Sequence, residues 1–240
     1  MKKNTGNAIE FVDCSKKVNE DLYPVPAKQE IPNWYKKTPT YVDSKYPGLE
    51  NQSQHQTNST VKKCMPFFDS MTAGYVIKST ADVIVSWKGD QPFYQWKTEE
   101  YINFQGISQM PQYPGQEQRK FDYPKFKTPW SIRTPKGYSC FITTPIHRDL
   151  PFHTLEGIVD TDSFFAPVLF PFYIKEKGWE GIIEAGTPIA QIIPFKREPW
   201  SIKVSQDDKK ISQAQVSKER ITASFLNAYK KSFWQRKQWS

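Results

Sequence analysis

Residues 130 to 197 read WSIRTPKGYSCFITTP, an irregular piece, LEGIVDTDSFFAPVLFPFYI and then GWEGIIEAGTPIAQIIPFKR. Apolar side chains alternate there with polar or small ones: Tyr138, Cys140 and Ile142 share one face, and Ile189, Gln191, Ile193 and Phe195 share another. A period of two punctuated by Gly and Pro is the pattern of short strands and tight turns. The stretch predicts a run of β-hairpins closing on themselves as the core.

The chain has 240 residues, enough for one generous domain, or one domain with arms, around a real core. Aromatics make up 15% while hydrophobic residues reach only 38%, so burial must rest heavily on Phe, Tyr and Trp. Nineteen prolines against eleven glycines argue for rigid loops and few long helices. A formal charge of +8 makes an anionic partner plausible. No apolar run follows Lys2 and Lys3, so no secretory signal is expected, and no window approaches the roughly 20 apolar residues of a membrane helix. Cys14, Cys64 and Cys140, odd in number and far apart, read as free thiols in a reducing compartment, with Cys140 in the core.

Along the chain, residues 1–60 read as an N-terminal arm and polar linker, 61–200 as a β domain, and 201–240 as a strand, a turn and a helix. The arm holds one strand at 8–12 and then an extended path set by Pro24, Pro26, Pro32 and Pro39, pinned to the body by Trp34 and Tyr35. Residues 44–60 carry almost no large apolar side chain and read as a solvated linker. Strands are expected at 75–77 and 82–87, with a hairpin turn at Lys88, Gly89 and Asp90. Residues 99–128, rich in Gln, Pro and Tyr, read as a long loop with one short strand at 101–104. EPWSIKVSQDDKK, from Glu198, reads as a strand and a turn. The tail from Ser212 reads as an amphipathic helix whose stripe is Val216, Ile221, Phe225, Leu226, Tyr229 and Phe233.

Four phrases in order carry a family resemblance: DSMTAGYVI from Asp69, PKGYSCFIT from Pro135, GIVDTD from Gly157, and GTPIAQII from Gly186. Together they resemble the motifs of the dUTPase and dCTP deaminase superfamily. The likeness covers roughly residues 66–196 and implies an all-β fold, a β-clip barrel or sandwich body. To that body the sequence adds the Pro-rich N-terminal arm and the C-terminal amphipathic helix. The family commonly assembles as a trimer. The whole chain also resembles proteins of large tailed phages with similar IPNWYK, KKCMPFFDSMTAGY and TPIAQIIPFKRE phrases, which implies a place in the host cytoplasm or the virion.

The active family needs more than these phrases, and the chain departs from it at three points. Thr143, Thr144 and Pro145 stand where the family has an Arg-Ser pair for phosphates, and Arg148 comes only later. Ser163 stands where a Tyr would stack on the sugar, and the tail lacks the family's Gly-rich loop. Without those donors, efficient triphosphate hydrolysis is not expected. The expectation is therefore a non-enzymatic phage structural or assembly protein that trimerises and contacts neighbours through its arm and tail helix, with no cofactor.

The alternative is a pyrimidine deoxynucleotide-binding protein or hydrolase that uses Asp160, with magnesium required only in that case. Its ligand-binding candidates are Tyr138, Thr143, Arg148, Asp162 and Gln191. For a deaminase, Glu180 or Glu184 would be the proton-transfer candidate, though a surface hairpin accounts for both.

Other chemistry is less well supported by the residues. His147 and Asp149 spell His-x-Asp, but His153 follows too closely to complete a facial metal triad, so no metal site is expected. Cys140 sits on an apolar face that suits a core thiol better than a nucleophile. The tail from Ser217 interleaves Lys and Arg with Phe233, Trp234 and Trp239, a pattern able to follow a nucleic-acid backbone. An amphipathic helix with solvated charges is the preferred reading, because the apolar stripe demands burial whatever the charges do.

Overall fold

The structure is a computed structural model that describes residues 7–42, 59–97, 100–110, 122–223 and 228–240. It divides into two compact units: Met1–Glu30 with Gly74–Arg197, and Ile31–Ala73 with Glu198–Ser240.

The first unit is built of antiparallel strands. In chain order these are β1 (Glu10–Asp13), β2 (Val25–Pro26), β3 (Tyr75–Lys78), β4 (Val83–Lys88), β5 (Gln91–Gln95) and β6 (Ile102–Gln105). They continue as β7 (Tyr123–Arg133), β8 (Tyr138–Thr143), β9 (Phe152–Thr154), β10 (Gly157–Val159), β11 (Pro167–Ile174), β12 (Gly181–Ile183) and β13 (Pro188–Lys196). One sheet runs β1-β7-β11-β9, with β6 also on β7; a second runs β10-β8-β13-β3-β2; a third runs β12-β4-β5. The expected all-β character of the body is met.

Aromatic burial does the work that the modest apolar content demands. Phe126 stacks on Phe172 with centroids 3.9 Å apart and planes at 12°, and Phe152 meets both edge-on. Ile77, Val83, Trp130, Ile142 and Ile192 are buried in the same core. In β13 the four residues 189–192 are all buried, so both faces of this strand are covered and the alternation read from the sequence is not an inside-outside pattern.

Three elements depart from the sequence reading. The strand expected at 8–12 pairs with β7, and β2 pairs with β3, so residues 7–30 belong to the β unit rather than to an arm ending at residue 60. β7 occupies the end of the stretch read as a long loop, although Pro124 and Pro129 lie within it. Pro124 faces Phe104 of β6, and Pro129 lies where the pairing with β11 shifts register, an irregularity that tolerates a missing N–H. Residues 198–207, read partly as a strand, form none. The polar linker at 44–60 lies almost wholly outside the described residues.

The second unit is helical, with α1 (Asn33–Lys37), α2 (Met65–Thr72), α3 (Asp208–Ala223) and α4 (Ala228–Ser232). Tyr35 of α1 is buried on α2, stacked on Phe67 at 6.2 Å and tilted against Phe68 at 6.1 Å. Asp69 of α2 accepts from Trp234 Nε1 and Lys237 Nζ, both at 2.8 Å, fixing the C-terminal residues. The tail helix starts earlier than the sequence suggests because Asp207 caps it: its Oδ1 accepts the Lys210 N–H at 3.0 Å. Val216 and Ile221 on α3 are exposed rather than buried, and Phe225 and Leu226 lie outside the described residues. No helix among the described residues is long and apolar enough to cross a membrane.

Candidate functional site

The residues singled out from the sequence gather in two groups at opposite ends of β8. The first group forms where the start of β8, the turn after β10 and the end of β13 meet. Antiparallel pairing sets Lys196 opposite Tyr138, which brings the next residue, Arg197, over that turn. Arg197 Nη1 donates to Asp160 Oδ1 at 3.1 Å, Asp162 Oδ1 at 3.0 Å, Ser139 Oγ at 2.8 Å and the Tyr138 carbonyl at 2.9 Å. Its Nη2 donates to Asp162 Oδ2, an oxygen that also accepts the Gly137 N–H at 2.8 Å. Ser139 Oγ donates to Asp160 Oδ1 at 2.6 Å. Asn7 Nδ2 bonds the Tyr138 hydroxyl.

One guanidinium thus bridges two carboxylates, a fork geometry that Lys would not reproduce. The turn itself is closed by Ser163 and Phe164 N–H groups on the Asp160 carbonyl, at 3.1 and 2.9 Å. Beneath it Thr161 is buried, with its Oγ1 2.7 Å from Thr134 Oγ1 and 3.4 Å from Cys140 Sγ. Burial pushes the Cys140 thiol up to about 11, so it is a packed thiol rather than a nucleophile; Cys14 and Cys64 are exposed free thiols.

Hydrogen bonds from Arg197 and from the Gly137 N–H hold the Asp162 carboxyl down to about 2, with desolvation opposing them. The folded chain therefore binds this proton less readily than the unfolded chain, whose Asp titrates at about 3.9. Stability from this contact is present above about pH 4 and is lost as the pH falls toward about 2. Urea titrations across that range should show a decline that is shallower in Asp162→Asn. An identical decline in both proteins would refute the assignment.

The second group lies at the other end of β8, roughly 17 Å away by strand rise. Thr143 pairs in register with Gln191, and its Oγ1 donates to Glu156 Oε1 at 3.3 Å. Gln191 is fully buried, and its Oε1 accepts the Ile146 N–H at 2.9 Å. Arg148 donates from Nη1 to the Ile146 carbonyl and from Nη2 to the Ala27 carbonyl, each at 3.4 Å, while its buried Nε has no partner among the described residues. Desolvation lowers the Arg148 pKa, and the nearby Glu30 carboxylate partly offsets it. Gln191 and Arg148 therefore hold the loop after β8.

Other candidates take ordinary places. His153 reaches Thr144 Oγ1 from Nδ1 at 3.1 Å and Glu156 from Nε2, and His147 adopts a positive φ of 57° in the loop after β8. Glu180 Oε1 accepts the Trp87 N–H at 3.0 Å, the role of a hairpin clamp. Asp69, read as the acidic start of the first phrase, lies on α2 rather than on a strand. Arg197 and Ser139 were not singled out from the sequence. Their only signal is position: Ser139 lies inside the GYSC phrase and Arg197 closes the PFKR phrase, and the pairing register alone joins them.

Comparison with known proteins gives no matching family model and no matching curated protein.

Proposed function

We propose that the protein is a non-enzymatic structural or assembly protein of a phage-type particle, with a dUTPase-like β-clip body that trimerises and contacts neighbours through the chain outside that body. The observation that carries this reading is the exposure of three apolar side chains in one segment, Trp200, Ile202 and Val204, at 90%, 95% and 86%. Burying one side chain of this kind contributes about 1.5–3 kcal/mol, so three of them in water at alternate positions favour a partner. The backbone of 199–205 makes no backbone hydrogen bond among the described residues. Such a segment suits strand addition to the sheet edge of a neighbour, with Trp200 as the aromatic anchor. The bridging of Asp160 and Asp162 by Arg197 supports the non-enzymatic side of the reading.

Light scattering of the purified chain should give a multiple of 28.0 kDa. Changing Trp200, Ile202 and Val204 together to Ser should weaken association roughly 30-fold or more, the scale of a hot-spot loss. The same protein should appear in purified particles. A monomer at high concentration that is also absent from particles defeats the proposal.

A second reading, pyrimidine deoxynucleotide binding or hydrolysis at Asp160, is favoured by one observation. The Asp160 side chain is 63% exposed, and its Oδ2 has no partner among the described residues. Incubation with each deoxynucleotide and magnesium, followed by assay of pyrophosphate and ammonia, tests it. Turnover that disappears in Asp160→Ala would put this reading first.

A further inference from the structure

The first unit holds a cleft of about 160 Å³ that neither the sequence motifs nor the assembly reading uses. It opens between the β4–β5 hairpin and the facing ends of β7 and β11. Pairing of Trp87 with Pro92 and of Val85 with Tyr94 puts Trp87, Pro92 and Tyr94 on one face of the hairpin. Tyr123 and Tyr173 complete an aromatic lining. The volume is below the roughly 300–1,000 Å³ of a drug-sized ligand pocket, so it suits one flat ring rather than a whole cofactor.

The walls are fixed before any ligand arrives. Trp87 Nε1 donates to the Trp179 carbonyl at 2.8 Å, and Tyr94 meets Phe172 edge-on at 5.8 Å. Burial raises the Tyr94 pKa, yet among the described residues its hydroxyl has no hydrogen-bond partner. A ring edge offering an acceptor would give this hydroxyl a partner.

Charge at the rim selects among flat rings. Lys175 and Lys177 line the cleft. The two acids in the lining are already engaged: Asp90 pairs with Lys177 at 2.7 Å, and Asp122 Oδ1 accepts the Ile107 N–H at 2.8 Å. Lys175 reaches the exposed Asp149 only at 4.0 Å. Beyond the cleft the aromatic surface continues, because Phe104 lies 6.2 Å from Tyr94 and is 47% exposed. A half-open ring site leading to a second, exposed stacking platform fits a strand of successive bases better than a single ring.

We propose that this cleft binds single-stranded nucleic acid, holding one base against Trp87, Tyr94 and Tyr173, with a neighbouring base on Phe104, Lys175 on a phosphate, and Lys177 turning from Asp90 to the next phosphate. Aromatic platforms beside lysines are the general means of binding single strands without sequence readout, each stacked base contributing about 1–3 kcal/mol. The proposal is independent of the assembly reading and of the basic tail.

The test titrates the full chain into a labelled thymidine oligonucleotide of about 15 nucleotides, with thymidine monophosphate as the competing free ligand. Saturable binding that weakens as salt rises is expected. Lys175→Ala with Lys177→Ala should weaken it roughly 10-fold, and Phe104→Ala by a similar factor. Tyr94→Phe, which keeps the ring and removes the hydroxyl, should cost about 3- to 10-fold. Both lysine side chains are exposed, at 45% and 64%, so the double variant should keep the fold, as circular dichroism should show. No saturable binding overturns the proposal, as does binding unchanged in all these variants but lost when Lys230, Lys231 and Arg236 of the tail are neutralised. A monophosphate that binds as tightly as the oligonucleotide overturns the strand in favour of a free nucleotide, and a proline-rich peptide that binds in its place overturns both.

Discussion

Gly74→Ala should be among the most damaging single substitutions in the protein, lowering unfolding free energy by about 3–5 kcal/mol. Gly74 has a φ of +65°, where an L side chain costs roughly 1–2 kcal/mol. A Cβ there would also lie 2.0 Å from the Ile192 carbonyl oxygen and 2.9 Å from its carbon, and backbone in the middle of β13 has no flexible end to swing aside. Relief requires β3 and β13 to part where Tyr75 pairs with Ile192. Gly89→Ala provides the control: its φ is +62° and nothing lies within 4 Å of the added Cβ, so only the conformational cost of about 1–2 kcal/mol remains. Denaturant titrations should separate the two by about 2 kcal/mol or more. Equal losses would mean that the close approach of β13 is misplaced. With total stability of about 5–15 kcal/mol for a typical domain, the Gly74 variant should express poorly.

Phe126→Ala should cost about 3–5 kcal/mol. The ring is fully buried, stacked on Phe172, edge-on to Phe152 at 5.4 Å and 6.2 Å from Tyr101. Removing it leaves a cavity among aromatic rings that strands β7, β9 and β11 hold rigidly apart, so little collapse can fill it. Phe126→Leu retains much of the volume and should lose less. A double-mutant cycle with Phe172→Leu should give a coupling of about 0.5–1.5 kcal/mol, the size of an aromatic pair beyond its area. Additive losses would show that the two rings do not act as a stack. Because the chain has two compact units, both measurements need a probe of the β unit, such as near-ultraviolet dichroism, beside a global one.

The strands legible in the sequence are those whose local chemistry and tertiary role agree. β3, β4, β8 and β13 combine β-branched and aromatic residues with Gly or Pro punctuation, and the turn at Gly89 links β4 to β5 as the Gly-Asp pair suggests. β7 hides behind Pro124 and Pro129, because a missing N–H argues against a strand unless the pairing is irregular there, and the irregularity, four residues of β7 from Ser131 to Lys127 against two of β11 from Pro167 to Leu169, shows only once the two strands are paired. Residues 198–207 err the other way: Trp200, Ile202 and Val204 alternate as a strand should, yet alternation needs an edge to pair with.

Of the candidate site, Asp160, Asp162 and Tyr138 were visible as part of familiar phrases, and the structure does bring them together. Thr143, Arg148 and Gln191 were visible in the same way but gather at the other end of β8. Arg197, which organises the first group, was not visible, because a basic residue after a strand looks like any solvated charge until pairing register places it beside a partner.

Composition and periodicity by themselves determined that this protein would bury aromatic rings between short antiparallel strands, since those properties act between residues close in the chain. Tertiary structure alone decided that Arg197 bridges Asp160 and Asp162, that Gly74 must lack a side chain, and that Tyr94 lines a cleft. Each of those depends on groups tens of residues apart, whose separation is set by strand register and by which sheet edge meets which.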